Sequence, residues 1–474
     1  MVVTRIAPSP TGDPHVGTAY QALFDYIWAK KNGGKFIVRI EDTDRSRYNA
    51  ESEKRILEMF VWLGIPYDEA PDIGGPNAPY RQSERLENYH KHAEQLLESG
   101  WAYHAFETPE ELQAIREDLR SRNINLGYDG RARQIPLEDA RKRVAAGERH
   151  VIRLKSPRAG STLLKDALRG TISFDNAGVE DAVLIKGDGF PTYHLAVVVD
   201  DHLMGVTDVI RGEEWIPSAP IHVLLYQAFG WQEPNWIHMP LLQNPDKTKL
   251  SKRKGNTSVE WYRKEGVQPE ALLNYLGMMG FSMPDGREIF NLQDLTEAFS
   301  FERISLGGSV FGWDKLKWLN AQYIREVLPF ETVAERLHSH LQEHGHEVQN
   351  DDFFKGVVKL MLPRIEVFSE FWDKTGFFWS EDYAVNEKAQ NNINGGQDVL
   401  KALLPRLEAL EDFSHDSTHD LFKAYAEEAG LKLGKVMPPV RAAIAGTMES
   451  PDMGEMLRLL GKARVLARIQ KAIQ

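Results

Sequence analysis

Apolar and polar positions change period several times along the chain, and each change marks an element. Residues 2–7 predict a short buried strand, and Pro8-Ser9-Pro10-Thr11-Gly12-Asp13-Pro14 is a turn-rich loop after it. From Thr18 the spacing is helical, with Ala19, Ala22, Leu23, Tyr26 and Ile27 on one face. Asn32-Gly33-Gly34 stops that helix, because glycine tolerates the left-handed conformation that a helix end often needs. Residues 36–40 predict a second strand, ending in Glu41-Asp42-Thr43-Asp44. Strand, helix and strand in this order predict a parallel pair. Ligands of such sheets bind beyond the carboxyl ends of the strands, where both the proline-rich loop and Glu41 lie.

Another helix is expected over residues 50–63, then a charged helical stretch over 108–149, interrupted at Gly127-Tyr128-Asp129-Gly130. Short strands follow at 150–154 and 170–174. The first sheet is expected to resume at Val183-Leu184-Ile185 and at Leu195-Ala196-Val197-Val198-Val199, the latter a strand closing on Asp200-Asp201-His202. Residues from about 105 to 185 therefore look like an insertion into a nucleotide-binding domain. Beyond Glu331 the pattern is helical with punctuating prolines. Val399, Leu400, Leu403, Leu404, Leu407 and Leu410 trace one face, and Leu421, Phe422, Tyr425, Ala426 and Ala429 another. In the tail, Lys462, Arg464, Arg468 and Lys471 stand beside leucines, which suits a solvated amphipathic helix at least as well as an RNA contact.

At 474 residues the chain is too long for one core, so several domains are expected. No apolar run approaches the roughly 18 residues that cross a bilayer, and the N-terminus has no signal-peptide pattern, so the expectation is a cytoplasmic protein without a membrane. Cysteine is absent, which excludes disulfides, a thiol nucleophile and thiolate-bound metal. A net charge of −12 argues against indiscriminate nucleic-acid binding, yet leaves room for a specific RNA held on local basic faces.

Two segments carry candidate chemistry. His15 and Gly17 stand where the proline-rich loop meets a helix, and a helix N-terminus offers unpaired N–H groups and a positive dipole end to phosphate. His15 can donate to a phosphate oxygen, and Gly17 permits close approach of a bulky ring. The second segment holds Lys247, Lys249, Lys252, Arg253 and Lys254. Such a run is usually a solvated loop, but ammonium groups can also gather on a triphosphate as pyrophosphate leaves. No Gly-x-x-x-x-Gly-Lys-Ser/Thr pattern is present, so this is not a P-loop. Asp200-Asp201-His202 could be read as a metal triad, but strand-end carboxylates also suit loop hydrogen bonds and no further ligand set is evident. The expected number of metal sites is none.

Taken in order, His15-Val16-Gly17-Thr18 resembles the HIGH signature of class I aminoacyl-tRNA synthetases, and Lys249-Leu250-Ser251-Lys252-Arg253 their KMSKS signature. Arg5-Ile6-Ala7-Pro8-Ser9-Pro10-Thr11-Gly12, Arg39-Ile40-Glu41-Asp42-Thr43-Asp44, Gly189-Phe190-Pro191-Thr192-Tyr193 and Val209-Ile210-Arg211-Gly212-Glu213-Glu214-Trp215 are similar to the glutamyl branch, over nearly the whole chain. The resemblance implies a Rossmann-type α/β catalytic domain in two halves, residues 1–105 and 186–253, the second bearing the KMSKS-like loop. Residues 106–185 would be an inserted α+β acceptor-stem-binding domain, 254–328 a stem-contact domain, and 329–385 and 386–474 two all-α anticodon-binding domains.

The implied partners are L-glutamate, ATP with Mg²⁺, and tRNA(Glu), handled by a monomer. Two carboxylates and an ammonium on glutamate call for cations and an anion. Arg5 and Arg211 can grip the side-chain carboxylate, Tyr193 can add a hydroxyl donor, and Glu41 can hold the ammonium. By resemblance, Ala7, Ser9 and Val197 belong to the same pocket. Ser9, Thr11, Gly17, Thr18, Glu214, Leu242, Lys249, Ser251, Lys252 and Arg253 would lie along ATP. His15 and Lys252, assisted by Lys249, would stabilise the leaving phosphates. Arg364 stands where the branch reads the third anticodon base, and equally where a surface arginine would follow a helix-ending proline. Some family members carry a Cys/His zinc site in the insertion; here that region reads Gly100-Trp101-Ala102-Tyr103-His104-Ala105-Phe106, and no structural zinc is expected. The nearest alternative is the glutaminyl branch, whose anticodon region is built of β-barrels rather than helices. A small-molecule nucleotidylyltransferase would not need the helical C-terminal part, and an inactive RNA-binding paralogue would have lost His15 or Lys252.

Overall fold

A computed structural model describes residues 1–250 and 256–474. The chain divides into two compact units, residues 1–261 with 272–312, and residues 262–271 with 313–474.

In the first unit, β1 (Val3–Ile6), α1 (Val16–Lys31) and β2 (Lys35–Val38) form the expected crossover, with β1 and β2 parallel and Arg5 opposite Ile37. His15 caps α1 by accepting from Gly17 N–H through Nδ1, and Val16, Ala19, Leu23 and Ile27 bury its inner face completely. A Cβ on Gly34 would lie 1.9 Å from the Val2 carbonyl, so only glycine lets the chain turn so close to the start of β1. Then come α2 (Ala50–Leu63), α3 (Leu86–Glu98), β3 (Ala102–Ala105), α4 (Pro109–Ser121), α5 (Leu137–Ala145), β4 (Val151–Leu154), β5 (Ser161–Asp166), β6 (Gly170–Asp175) and β7 (Val183–Ile185). Tyr103, Ile115, Leu119 and Tyr128 make a small core of their own. After these come α6 (Tyr193–Leu203), β8 (Asp208–Gly212), α7 (Ala219–Phe229), β9 (Asn235–Met239) and β10 (Leu242–Gln243). Thr207 N–H donates to the Val3 carbonyl, which ties the start of β8 to β1.

Two expectations are corrected here. Residues 195–199 are not a strand but the middle of α6, and Asp200 and Asp201 lie within that helix. All five side chains from Leu195 to Val199 are buried, and a fully buried apolar run has no period to reveal; burial then overrides the β-preference of valine. The strand β7 does not resume the β1–β2 pair either; it is antiparallel to β4 in a sheet ordered β3-β4-β7. A third sheet runs β6-β5-β9-β8, so the β5–β6 hairpin joins the parallel β8–β9 pair through Asp166 opposite Trp236.

The second unit is helical after residue 313. Helices Phe330–Glu343, Asp352–Met361, Gln397–Ala409, His415–Glu428, Leu433–Ala445 and Lys462–Ile473 share one core, in which Leu400, Leu403, Leu407 and Phe422 are buried. The basic tail is tied to its own unit: Lys462 donates to the Leu410 carbonyl, Arg464 to Phe378, and the buried Arg468 to Ile444 and Phe377. Among the described residues no helix is long and apolar enough to cross a membrane.

Candidate active site

The ends of β1, β2 and β8 and the start of α6 open on one cavity of about 690 Å³. Arg5, Ala7, Ser9, Thr11, Glu41, Tyr193 and Arg211, all singled out from the sequence, line it. Thr43, Arg47, Tyr48, Gln82, Lys186 and Trp215 also line it without having been predicted as site residues. Val197 is buried in the core behind it and is not among the lining residues.

The charges beneath the cavity are mostly paired. Arg5 donates from Nε to both oxygens of Asp201 at 3.0 and 3.1 Å, and Arg39 reaches the same carboxylate at 2.8 Å. Burial alone would raise the Asp201 carboxyl, but Arg5 and Arg39 outweigh it and hold the group below its ordinary range. Asp200 accepts from Arg85, Gln82 and Tyr89. His202 stacks on Trp231 at 3.7 Å. Asp200 and Asp201 are thus taken up by buried arginines, with Arg39 paired to both, and His202 by Trp231, and among the described residues no group of three or more potential ligands gathers for a metal.

Among the described residues, three side chains that line this cavity hold a buried polar atom with no hydrogen-bond partner: Glu41, Gln82 and Arg211. Glu41 Oε1 is buried without a hydrogen-bond partner among the described residues, 3.7 Å from Arg39 Nη2, and burial pushes its carboxyl up to about 7 against the pull of Arg39 and Arg5. Arg211 Nη2 is likewise buried and unpartnered. A charged acceptor on Glu41 and a charged donor on Arg211 in a single cavity are an invitation to a zwitterion with a further anionic group.

A second cavity, of about 270 Å³, adjoins the start of α1 and is lined by His15, Gly17, Thr18, Glu214, Leu242 and Lys249 among others. Because Nδ1 of His15 accepts from Gly17, the neutral ring carries its proton on Nε2, as a donor. Lys249 Nζ meets Glu214 Oε1 at 3.1 Å. Glu214 folds back over Gly212, where a Cβ would come within 1.9 Å of its carboxylate. Ser251, Lys252 and Arg253 lie outside the described residues. Thr18 and Gln21 line both cavities, so one face of α1 is their common wall. In the second unit, Arg364 is exposed at the end of a short 3-10 turn, and its charge adds to burial in lowering the Arg441 guanidinium.

Sequence reasoning missed the groups behind Arg211. His238, His222, His194 and Asp166 contact it directly or in series, and each is remote in sequence except through strand register and helix face.

The family described as tRNA synthetases class I (E and Q), catalytic domain, matches residues 1–318, and an anticodon binding domain family matches residues 332–473. The chain is 58% identical to a glutamate–tRNA ligase of Thermus thermophilus over 473 residues, covering 100% of both. It is 56% identical to a glutamate–tRNA ligase of Deinococcus radiodurans, covering 99% of this chain and 98% of that one. The crystal structure of a glutamate tRNA ligase from Elizabethkingia meningosepticum in complex with its amino acid superposes with a TM-score of 0.89 at 38% identity, covering 100% and 99% of the two chains.

Proposed function

This chain belongs to the class I tRNA synthetases of the E and Q branch and ligates glutamate to tRNA in an ATP-dependent reaction, and we propose how its two adjoining cavities divide that work. The single observation behind the proposal is the pairing of an unsatisfied Arg211 donor and an unsatisfied Glu41 acceptor in one cavity, with a helix N-terminus opening next to it. Glutamate enters the first cavity with its side-chain carboxylate on Arg211, Tyr193 and Arg5 and its ammonium on Glu41. ATP lies in the second, with its phosphates at the start of α1 beside His15 and its length along Glu214, Leu242 and Lys249.

The α-carboxylate of glutamate then attacks the α-phosphorus, the P–O bond to the β-phosphate breaks, and pyrophosphate leaves. No protein nucleophile is needed; holding the reactants together and placing cations against growing negative charge supply the catalysis. His15 and Lys252, with Lys249, take that second role. In the next step the 2′-hydroxyl of the terminal adenosine attacks the acyl carbonyl and AMP departs. Mg²⁺ would travel on the nucleotide's own phosphates, in keeping with its preference for phosphate and water over an all-protein cage. The family's substrate set suits a monomer in the cytoplasm, with the amino-acid cavity and the helical residues 332–473 on one chain.

Charging of purified tRNA(Glu) with labelled glutamate tests the proposal. A glutamate KM raised at least about tenfold in Arg211→Gln and Glu41→Gln, with the KM for ATP unchanged, is the expected result. Wild-type glutamate KM in both variants would remove the assigned pocket.

A further inference from the structure

Arg211 is buried at the end of β8, and it is held differently from the other buried arginines nearby. Arg5 and Arg39 meet the Asp201 carboxylate, and Arg85 meets Asp200. Among the described residues Arg211 touches no carboxylate within hydrogen-bond distance: Nε donates to His238 Nε2 at 3.0 Å, and Nη1 meets His222 Nδ1 at 2.9 Å. Its guanidinium also lies over the Trp236 ring, 5.2 Å from the centroid.

Since arginine only donates, both imidazole nitrogens facing it must be unprotonated. The proton of His238 is then on Nδ1, 2.6 Å from Asp166 Oδ2, and Asp166 is itself fixed by the backbone N–H groups of Leu168, Arg169 and His238. His222 correspondingly carries its proton on Nε2 and donates to His194 Nδ1 at 3.0 Å. Every link has one donor and one acceptor, which leaves a single assignment of protons for neutral rings. Burial keeps them neutral: it pulls His238 below its ordinary value, His222 well below, and His194 to about 4, with Arg211 adding to each.

We propose that His222, backed by His194, and His238, backed by Asp166, are positioning residues that lock the Arg211 fork through neutral acceptors, so that its Nη2 edge keeps its full charge for the side-chain carboxylate of the amino acid. A carboxylate in either place would hold the fork equally well but would cancel the charge that separates an anionic side chain from its neutral amide. The imidazoles orient without neutralising, and the one negative group in the chain, Asp166, stands a whole ring away. This rests on the placement of the glutamate side chain on Arg211 given above.

Four variants of the full-length enzyme test the idea, with the KM for glutamate, the Ki of glutamine as competitor, kcat and the KM for ATP measured on each. His222→Asn keeps an acceptor at the Nδ1 position and should stay within about threefold of wild type in the KM for glutamate. His222→Leu leaves a buried N–H unmet and should raise the KM for glutamate at least about tenfold, with kcat and the KM for ATP within about threefold. His222→Asp should also raise it, and alone should collapse the ratio of glutamine Ki to glutamate KM by about tenfold or more, because it neutralises the fork. Arg211→Gln separates the two layers: wild-type glutamate KM there refutes the glutamate pocket itself. Loss of glutamate binding in Arg211→Gln together with an unchanged glutamine-to-glutamate ratio in His222→Asp refutes the neutral-acceptor device alone. Should His222→Leu fail to fold, the contrast between His222→Asn and His222→Asp still decides.

Discussion

Glu41 carries the sharpest consequence for pH. In the free protein its carboxyl titrates at about 7, because burial resists its ionisation more than Arg39 and Arg5 assist it. An ammonium group binds the ionised form, so binding must pull the proton off whenever Glu41 holds one. The sign follows: affinity for glutamate rises with pH up to about 7 and then levels. With a midpoint of about 7, roughly one side chain in eleven is ionised at pH 6 and about ten in eleven at pH 8. Apparent affinity scales with the competent fraction, so glutamate should bind about tenfold more weakly at pH 6 than at pH 8. Titration calorimetry in buffers of different ionisation enthalpy gives a second measure: close to one proton released per glutamate at pH 6, and close to none at pH 8.5. Glu41→Gln should abolish both the slope and the proton release. It should also weaken binding at pH 8 by about ten- to a hundredfold, the worth of a hydrogen bond to a charged group. Flat affinity between pH 6 and 8, or proton release that persists in Glu41→Gln, would refute this account of the ammonium site.

Three further outcomes are expected. His15→Ala, and likewise Lys252→Ala, should lower the charging rate by about 10²–10³, as removal of one preorganised donor at a developing anion typically does; wild-type rates in either would misplace the phosphates. Arg364→Gln should leave charging of tRNA(Glu) intact and raise charging of tRNA(Gln) roughly five- to a hundredfold, from a base contact worth about 1–3 kcal/mol; equal charging of both tRNAs by the wild type would end that role. Elemental analysis of protein purified without chelator or affinity metal should find far less than one equivalent of zinc, and a stoichiometric amount would reveal a His/Asp/Glu site.

Local pattern made the β1–α1–β2 unit legible, since each element announces itself within its own residues: a short strand closed by a proline-rich loop, a helical stripe from Ala19 to Ile27, a glycine stop. The same holds for the helical end of the chain, where Leu400, Leu403 and Leu407 are spaced for one face and are buried together. Residues 195–199 were illegible because every one of them is inside, so no polar face marks the helical period. The cavity's own side chains could be picked out because they stand in motifs at strand ends. The histidines behind Arg211 could not. His238 faces Arg211 only through the parallel register of β8 and β9, and His222 only through the face that α7 turns inward.

The shared wall at the start of α1 bears on how this scaffold diversifies. Thr18 and Gln21 are one turn apart on one capped helix, and each borders both cavities. A helix advances by only about 1.5 Å per residue and is stiff over one turn, so in the proposed placement a single rigid part would gauge the gap between attacking oxygen and phosphorus. In the proposed placement, the groups that would recognise the side chain hang on other parts: Arg211 on β8, with its neighbours on α7 and β9, Tyr193 on α6 and Arg5 on β1. Recognition can therefore be rebuilt without disturbing the gauge. A scaffold divided in this way can exchange one amino acid for a near twin while its reaction distance stays put, and a single family spanning both E and Q is the outcome such a division permits.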